Sequence, residues 1–231
     1  IYNEAESVDQ ILADLRGRGV DAWFRAADLT DRQQAIDLIE AFVKYFGQIH
    51  AVIANAGGDI SGSDDAAAGG KAENNSFFIS HEEHSNVFAR NYDTCLNTLR
   101  AVTPKLTSQG FGKIITVSSI NAAFGVEKET TYSTAKAAVL QLTRSLATEV
   151  RKDGVNVNCI MPGPVRTGRF MATLKDRNPH DLEFLEAKSR LERVAETSDV
   201  SPVVGFLLST ASDFVSGEVI KIDGALFNQS I

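Results

Sequence analysis

A tyrosine and a lysine stand four residues apart at Tyr132 and Lys136, inside a helix-forming run over 131–152. On a helix this spacing puts both side chains on one face, with Cβ atoms about 5–6 Å apart. An ammonium beside a phenol favours the phenolate. The tyrosine pKa then falls from about 10 toward the range in which a side chain can trade protons with a substrate. Alone the pair is a weak signal, because a half-buried tyrosine beside a solvated lysine has the same spacing. Two features accompany it here: Ser118-Ser119 upstream, and Asn55-Ala56-Gly57 after an apolar run.

The elements that must position these residues can be read from periodicity. Val8, Ile11, Leu12 and Leu15 recur at helical spacing, and Gly17 and Gly19 can end that helix. The run 20–27 reads as a strand, with Asp28 just beyond it. Thr30 or Asp31 can cap a second helix, whose inner face carries Ala35, Ile36, Leu38, Ile39, Phe42, Val43 and Phe46. A buried strand follows over 49–54. Ser80 and Glu83 form a capping box for a helix running through Val87, Asn91, Leu96 and Leu99 until Pro104 interrupts it. Strands are expected at 113–117, 155–160 and 218–222, and a further helix at 198–209. The polar stretch 57–78 is long for a loop and is therefore functional or mobile. Strand and helix alternate, and the strands are near-continuous apolar runs. This predicts a doubly wound α/β fold of the Rossmann type, a parallel sheet with helices on both faces. In such sheets ligands bind beyond the carboxyl ends of the strands, where Asp28, Asn55, Ser119 and Pro162 fall.

Composition narrows the class of function. The 231 residues suffice for one domain spanning 1–231. A net charge of −7 argues against a nucleic-acid partner, which would need a basic face. No apolar stretch reaches the length of a membrane span. Two distant cysteines, Cys95 and Cys159, read as reduced buried thiols of a cytoplasmic protein. The sequons at Asn74 and Asn228 carry no meaning in that setting. His81 and His84 share a helix face, but no third ligand accompanies them, so no metal site is expected. Lys175-Asp176-Arg177 reads as a solvated face.

Together these residues resemble the short-chain dehydrogenase/reductase family over nearly the whole chain. Asn55-Ala56-Gly57 is similar to the family's N-A-G turn. Ser119, 13 residues before Tyr132, is similar to its catalytic serine. The segment from Asn158 through Pro162, Gly163, Val165 and Thr167 resembles the N-x-x-x-P-G-x-x-x-T stretch beside the nicotinamide. Asp28-Leu29 resembles the site of the adenine contact, and Asp223-Gly224 the turn after the last strand.

The resemblance implies roles. Tyr132 is general acid in reduction and general base in oxidation. Lys136 lowers its pKa and bonds the nicotinamide ribose. Ser119 donates to the substrate carbonyl, and Asn91 holds a water in a proton relay. Asp28, Leu29, Asn55, Ala56, Gly57, Tyr132, Lys136, Pro162, Gly163, Val165 and Thr167 bind the cofactor. Each also has a plainer reading: Asn91 as a solvent-facing amide, Ser119 as a turn residue, Thr167 as a helix cap, Asp28 as a turn or cap residue. Asn55 has a turn-forming role and a structural one, tying two strands together.

The family's first strand and its T-G-x-x-x-G-x-G loop have no counterpart in these residues. The chain opens at Ile1, which the resemblance sets at the end of the second strand. The expectation is an amino-terminal segment before Ile1. The alternatives are a fragment without cofactor, acting as a scaffold or regulatory subunit, or a loop supplied by another chain. The cofactor is NAD or NADP. The lack of an acid at Tyr2 or Asn3 leans toward NADP. The substrate is a small alcohol or ketone, with a 3-oxoacyl reductase as a narrower reading. The segment 161–196 covers it. Phe124, Val126, Phe170, Met171 and Leu174 suggest an apolar pocket, and Arg166 and Arg169 meet an acidic substrate or face water. A homotetramer is expected through helices near 80–108 and 131–152, whose small residues Ala135, Ala138 and Ala147 suit close packing, and through the last strand.

Overall fold

Four strands lie in chain order in one parallel sheet: β1 (Ala51–Ala54), β2 (Gly112–Val117), β3 (Val155–Pro162) and β4 (Val219–Ile222). The structure is a computed structural model that describes residues 5–58, 76–127, 129–167, 170 and 189–226. The register sets Ala54 opposite Thr116, Val117 opposite Ile160, and Ile160 opposite Ile220. This alignment brings the carboxyl ends of β1, β2 and β3 to one rim.

Side-chain alternation along β2 decides which helix covers which face. Ile114 joins Leu99, Val102 and Leu106 of α4 (Thr94–Gln109) and Val139 of α5 (Thr130–Val150) in one buried cluster. Ile39 of α2 (Arg32–Phe46) extends that cluster outward. The next residue, Ile115, faces the other way. It packs with Ile160 and with Leu207 of α6 (Thr197–Leu208). Helices therefore cover both faces, and the inner strands are buried on both sides, as parallel strands require. Two further helices complete the order: α1 (Ala5–Gly17) and α3 (His81–Phe88), which enters α4 through a π-helical turn at Ala89–Asp93.

Capping follows the local chemistry. Asp31 caps α2, accepting from Gln33 N at 2.7 Å and Gln34 N at 3.2 Å. These backbone donors hold its carboxyl below the usual carboxylate range. Ser80 and Glu83 complete the capping box of α3: Ser80 Oγ accepts from Glu83 N at 3.1 Å, and Ser80 N donates to Glu83 Oε2 at 3.0 Å.

Three expectations are corrected. The run 20–27 is not a strand. A ladder needs a neighbour, and among the described residues none lies on the outer side of β1. Ile53 is 46% exposed there, and an apolar cavity of about 360 Å³ opens between α2, β1 and α4. Secondly, α4 runs past Pro104 to Gln109, and the left-handed Gly110 (φ 75°) ends it. A proline removes one helical bond. Val102 and Leu106, both fully buried, flank it, and their packing outweighs the loss. Thirdly, Ala135 and Ala147 are buried in this chain's own interior, so they offer no surface for helix packing between subunits. Among the described residues no helix is long and apolar enough to cross a membrane.

Glycine placement yields a paired test. A Cβ at Gly112 would lie 2.8 Å from Leu106 Cδ2, whereas one at Gly205 in α6 meets open space. Leu106→Ala is expected to cost about 2–5 kcal/mol in chemical denaturation. Gly112→Ala destabilises by the clash, and Gly205→Ala stabilises by about 0.5–1 kcal/mol.

Candidate active site

Lys136 is the pivot. Its residue is only 5% exposed, and its Nζ donates to the Val117 carbonyl at 3.1 Å, at the last position of β2. The same nitrogen lies 5.8 Å from the centroid of the Tyr132 ring. The two side chains therefore share one face of α5 and turn toward the end of β2, two residues before Ser119. Ser118 fixes the helix to the strand end by donating from Oγ to the Lys136 carbonyl at 2.8 Å. Burial pushes the Lys136 pKa down to about 8; the nearby Cys95 and Cys159 thiols act in the opposite sense. Burial also pushes the Cys95 thiol up to about 12 and raises that of Cys159, so both stay protonated near neutral pH. Both cysteines are free, in keeping with the reduced pair expected. Lys136 thus keeps its charge at pH 7, inside a nearly closed shell.

Ser119 caps a short 3₁₀ turn, Ile120–Ala122, and is itself 9% exposed. Its Oγ accepts from Asn121 N at 3.2 Å.

Asn91 departs from the solvent-facing reading. It is buried in the π-helical turn, where Thr94 N reaches back five residues to Ala89 O. Its Oδ1 accepts from Gly58 N at 2.9 Å, and its Nδ2 donates to Gly58 O at 3.1 Å and Val87 O at 2.9 Å. The amide grips the backbone after Asn55-Ala56-Gly57. Thr94 Oγ1 secures the same turn, shared between Ala56 O at 3.1 Å and Arg90 O at 2.8 Å. Gly57 is required there. With φ at 141°, its missing Cβ would lie 3.2 Å from Asn91 Oδ1 and 3.5 Å from Lys136 Nζ. The first turn after β1 is thereby drawn against the lysine. Thr94 and Asn97 were not singled out from the sequence. Asn97 Nδ2 donates to Leu29 O and Thr30 O, both at 3.0 Å, so it holds the Asp28-Leu29 loop. The available signal was polar residues at 91, 94 and 97, spaced by three along one helical run.

The remaining predicted contacts separate by position. Pro162 ends β3 opposite Ile222, and Gly163 N donates to Ile222 O at 2.9 Å. Val165 bridges to Ala195, which ties the segment after β3 to the entry of α6. Thr167 Oγ1 accepts from Phe170 N at 3.1 Å, as a capping residue does. Asp28 is exposed and folds its carboxylate onto Thr30, accepting from Thr30 N at 2.9 Å and Thr30 Oγ1 at 2.7 Å. That is its turn-forming reading. Asn55 is exposed and its side chain ties no two strands together among the described residues, because β1 has no outer neighbour to tie. Leu29, Asn55, Ala56 and Thr94 line the cavity beside β1.

Further out, Arg166 pairs with Glu196 at 3.2 Å, so its charge meets a carboxylate of this chain. Phe124 packs against Ile120, Leu140 and Met161, and Phe170 is buried. The Asp223-Gly224 turn is sterically fixed, since a Cβ on Gly224 (φ 61°) would lie 2.6 Å from Leu191 O. His81 and His84 stack with centroids 6.5 Å apart, and among the described residues no group of three or more metal-ligating side chains gathers. Tyr2, Asn3, Asn74, Arg169, Met171, Leu174, Lys175, Asp176, Arg177 and Asn228 lie outside the described residues, as do parts of 57–78 and 161–196.

The model of a family described as Enoyl-(Acyl carrier protein) reductase matches residues 2–226. A cyclohexanol dehydrogenase of Rhodococcus sp. (strain TK6) is 32% identical over 221 residues, covering 94% of this chain and 77% of the relative. A solved 7α-hydroxysteroid dehydrogenase, complexed with NADH and 7-oxo glycochenodeoxycholic acid, superposes with TM-score 0.82 at 22% identity, over 96% of this chain and 80% of that one. ElxO with NADP bound superposes with TM-score 0.81 at 23% identity, over 99% of this chain and 86% of that one. The chain belongs to the short-chain dehydrogenase/reductase family. It is an oxidoreductase of that family.

The buried ammonium has a measurable cost. The folded chain binds the Lys136 proton more weakly than the unfolded chain does. Between about pH 8 and the ordinary lysine value of 10.5 the unfolded state holds more protons, so stability rises with pH there. Below about pH 8 the difference amounts to about 3 kcal/mol of destabilisation. Lys136→Met is therefore expected to raise the denaturation midpoint at pH 7 while abolishing turnover. The gain should shrink as pH climbs toward 10.5, and a gain that does not change with pH would contradict this account.

Proposed function

We propose that the enzyme interconverts a secondary alcohol and a ketone with NAD or NADP, with Tyr132 as proton donor in reduction and acceptor in oxidation. The observation that carries this reading is the Lys136 ammonium, pinned to the Val117 carbonyl beside the Tyr132 ring. A positive charge held there in a dry environment favours the phenolate far more than the same charge in water. Ser119, at the strand end that Lys136 faces, donates to the carbonyl oxygen on which charge develops. Asn91 acts by fixing the Gly57-Gly58 backbone beside Lys136.

The residues fit a nicotinamide dinucleotide at its reactive end. The bare Cα of Gly57 lets the turn after β1 lie close to Lys136 Nζ, and Pro162 and Gly163 border the same carboxyl rim. Lys136, Gly57, Pro162, Gly163, Val165 and Thr167 would hold it, with Asp28 and Leu29 toward the adenine. When bound, the nicotinamide supplies or accepts the hydride. The structures that superpose on this chain include one with NADH and one with NADP, which supports either dinucleotide. The net charge of −7 gives little support to a basic patch for an acidic acyl carrier, so a free small substrate is favoured over a carrier-borne 3-oxoacyl group. Assembly as a cytoplasmic homotetramer completes the proposal; a monomer in light scattering would refute the tetramer.

Turnover by the full-length protein with a panel of cyclic and acyclic secondary alcohols tests the reading. Tyr132→Phe is expected to lose at least about 10²-fold in kcat with an unchanged circular dichroism spectrum. Nicotinamide fluorescence should still report binding of NADH or NADPH by that variant. Unchanged turnover would reject Tyr132 as the acid-base group.

A further inference from the structure

We infer that Asn121 and Glu129 form a positioning pair that holds the Ser119 hydroxyl as a hydrogen-bond donor toward the substrate carbonyl and locks it to the helix bearing Tyr132. The inference rests on the proposed alcohol–ketone chemistry. It concerns residues that the family resemblance did not assign.

A serine hydroxyl has one hydrogen and two lone pairs. One lone pair of Ser119 Oγ already accepts from Asn121 N at 3.2 Å. Among the described residues its hydrogen has no acceptor, although the residue is nearly buried. The hydroxyl is thus held from the acceptor side and left with a hydrogen to give. This state depends on where the Asn121 amide sits. The turn's own bonds hold it in part, Ala122 N to Ser119 O and Ala123 N to Ile120 O, both at 3.0 Å. The side chain holds it from outside, because Asn121 Nδ2 donates to the Glu129 carboxylate. A bond to an ionised acceptor is stronger than its neutral counterpart.

Glu129 sits directly before α5, and its carbonyl accepts from Ser133 N at 2.9 Å. Its backbone therefore belongs to the first turn of the helix that presents Tyr132. The bond from Asn121 spans the excursion of the chain between 123 and 127 and connects the serine turn directly to the tyrosine helix. Proton donation and oxyanion stabilisation must act on the same carbonyl oxygen. Their relative placement is what this contact sets, and small misplacements of such groups are costly.

Three variants separate positioning from general stability. Glu129→Ala and Asn121→Ala are expected to lower kcat by about 10-fold or more with KM changed less than about 3-fold. Glu129→Gln, which still offers a carbonyl oxygen, should restore most of kcat. In a Ser119→Ala background, Glu129→Ala should lower kcat by less than about 2-fold further, because the group it positions is gone. Losses that multiply in the double variant would overturn the inference. Amide hydrogen exchange gives a reading that needs no turnover: the Asn121 amide should exchange at least about 10-fold faster in Glu129→Ala than in the wild type. Equal exchange would overturn the clamp even if activity fell. Wild-type protein without turnover on any alcohol or ketone would instead reject the proposed chemistry, and with it the donor role, while the exchange comparison still decides whether the clamp exists.

Discussion

The site depends on a cation kept out of water. Lys136 loses most of its hydration when α5 closes over the end of β2, and it regains one hydrogen bond to a neutral carbonyl. A carbonyl dipole does not offset the desolvation of an ammonium, and the pKa near 8 reflects that imbalance. The surrounding structure is what makes the arrangement tolerable. Ser118 anchors the lysine's own backbone, and the cluster of Ile114, Val139 and Val157 keeps α5 seated on the sheet. Stability given up at one buried charge is returned as a field directed at the Tyr132 ring.

The turn after β1 serves the same purpose from the other side. Three residues on the α3–α4 segment reach back across the sheet edge: Asn91 to Gly58, Thr94 to Ala56, and Asn97 to the loop after Asp28. The π-helical turn lets this happen. One extra residue per turn rotates the following positions, so Asn91 and Thr94 can both face the loop while Leu99 and Val102 still face the core. The turn after β1 is held by helix side chains, and the Asp28-Leu29 loop by Asn97 together with its own Asp28–Thr30 bonds.

Much of this was legible in the sequence, and the misses have physical reasons. The Tyr132–Lys136 spacing, the Ser80–Glu83 cap and the apolar runs of β2 and β3 are local signals, and each produced the element expected. Asn91 was harder. An amide on a helix carries no mark of whether it faces water or a backbone, and only the path of the Gly57-Gly58 turn decides. Pro104 misled because its local penalty is fixed, whereas the burial of Val102 and Leu106 on either side is a tertiary fact. The run 20–27 has strand composition, but a strand exists only with a partner, and partnership cannot be read from the run itself. Arg166 was open between substrate and solvent, and Glu196, thirty residues on, took it.

The outer edge of β1 has a consequence for how the sheet can be extended. Ile53 is half-exposed beside a row of amides and carbonyls with no neighbour among the described residues, and an apolar hollow flanks it. An open edge of this kind is a template on which any extended chain, including another copy, can hydrogen-bond in register. Four residues make a short template, which limits how firmly a stray strand can dock. A further extended segment laid along this margin would cover Ile53 and close the hollow beside the turn that Gly57 brings against Lys136.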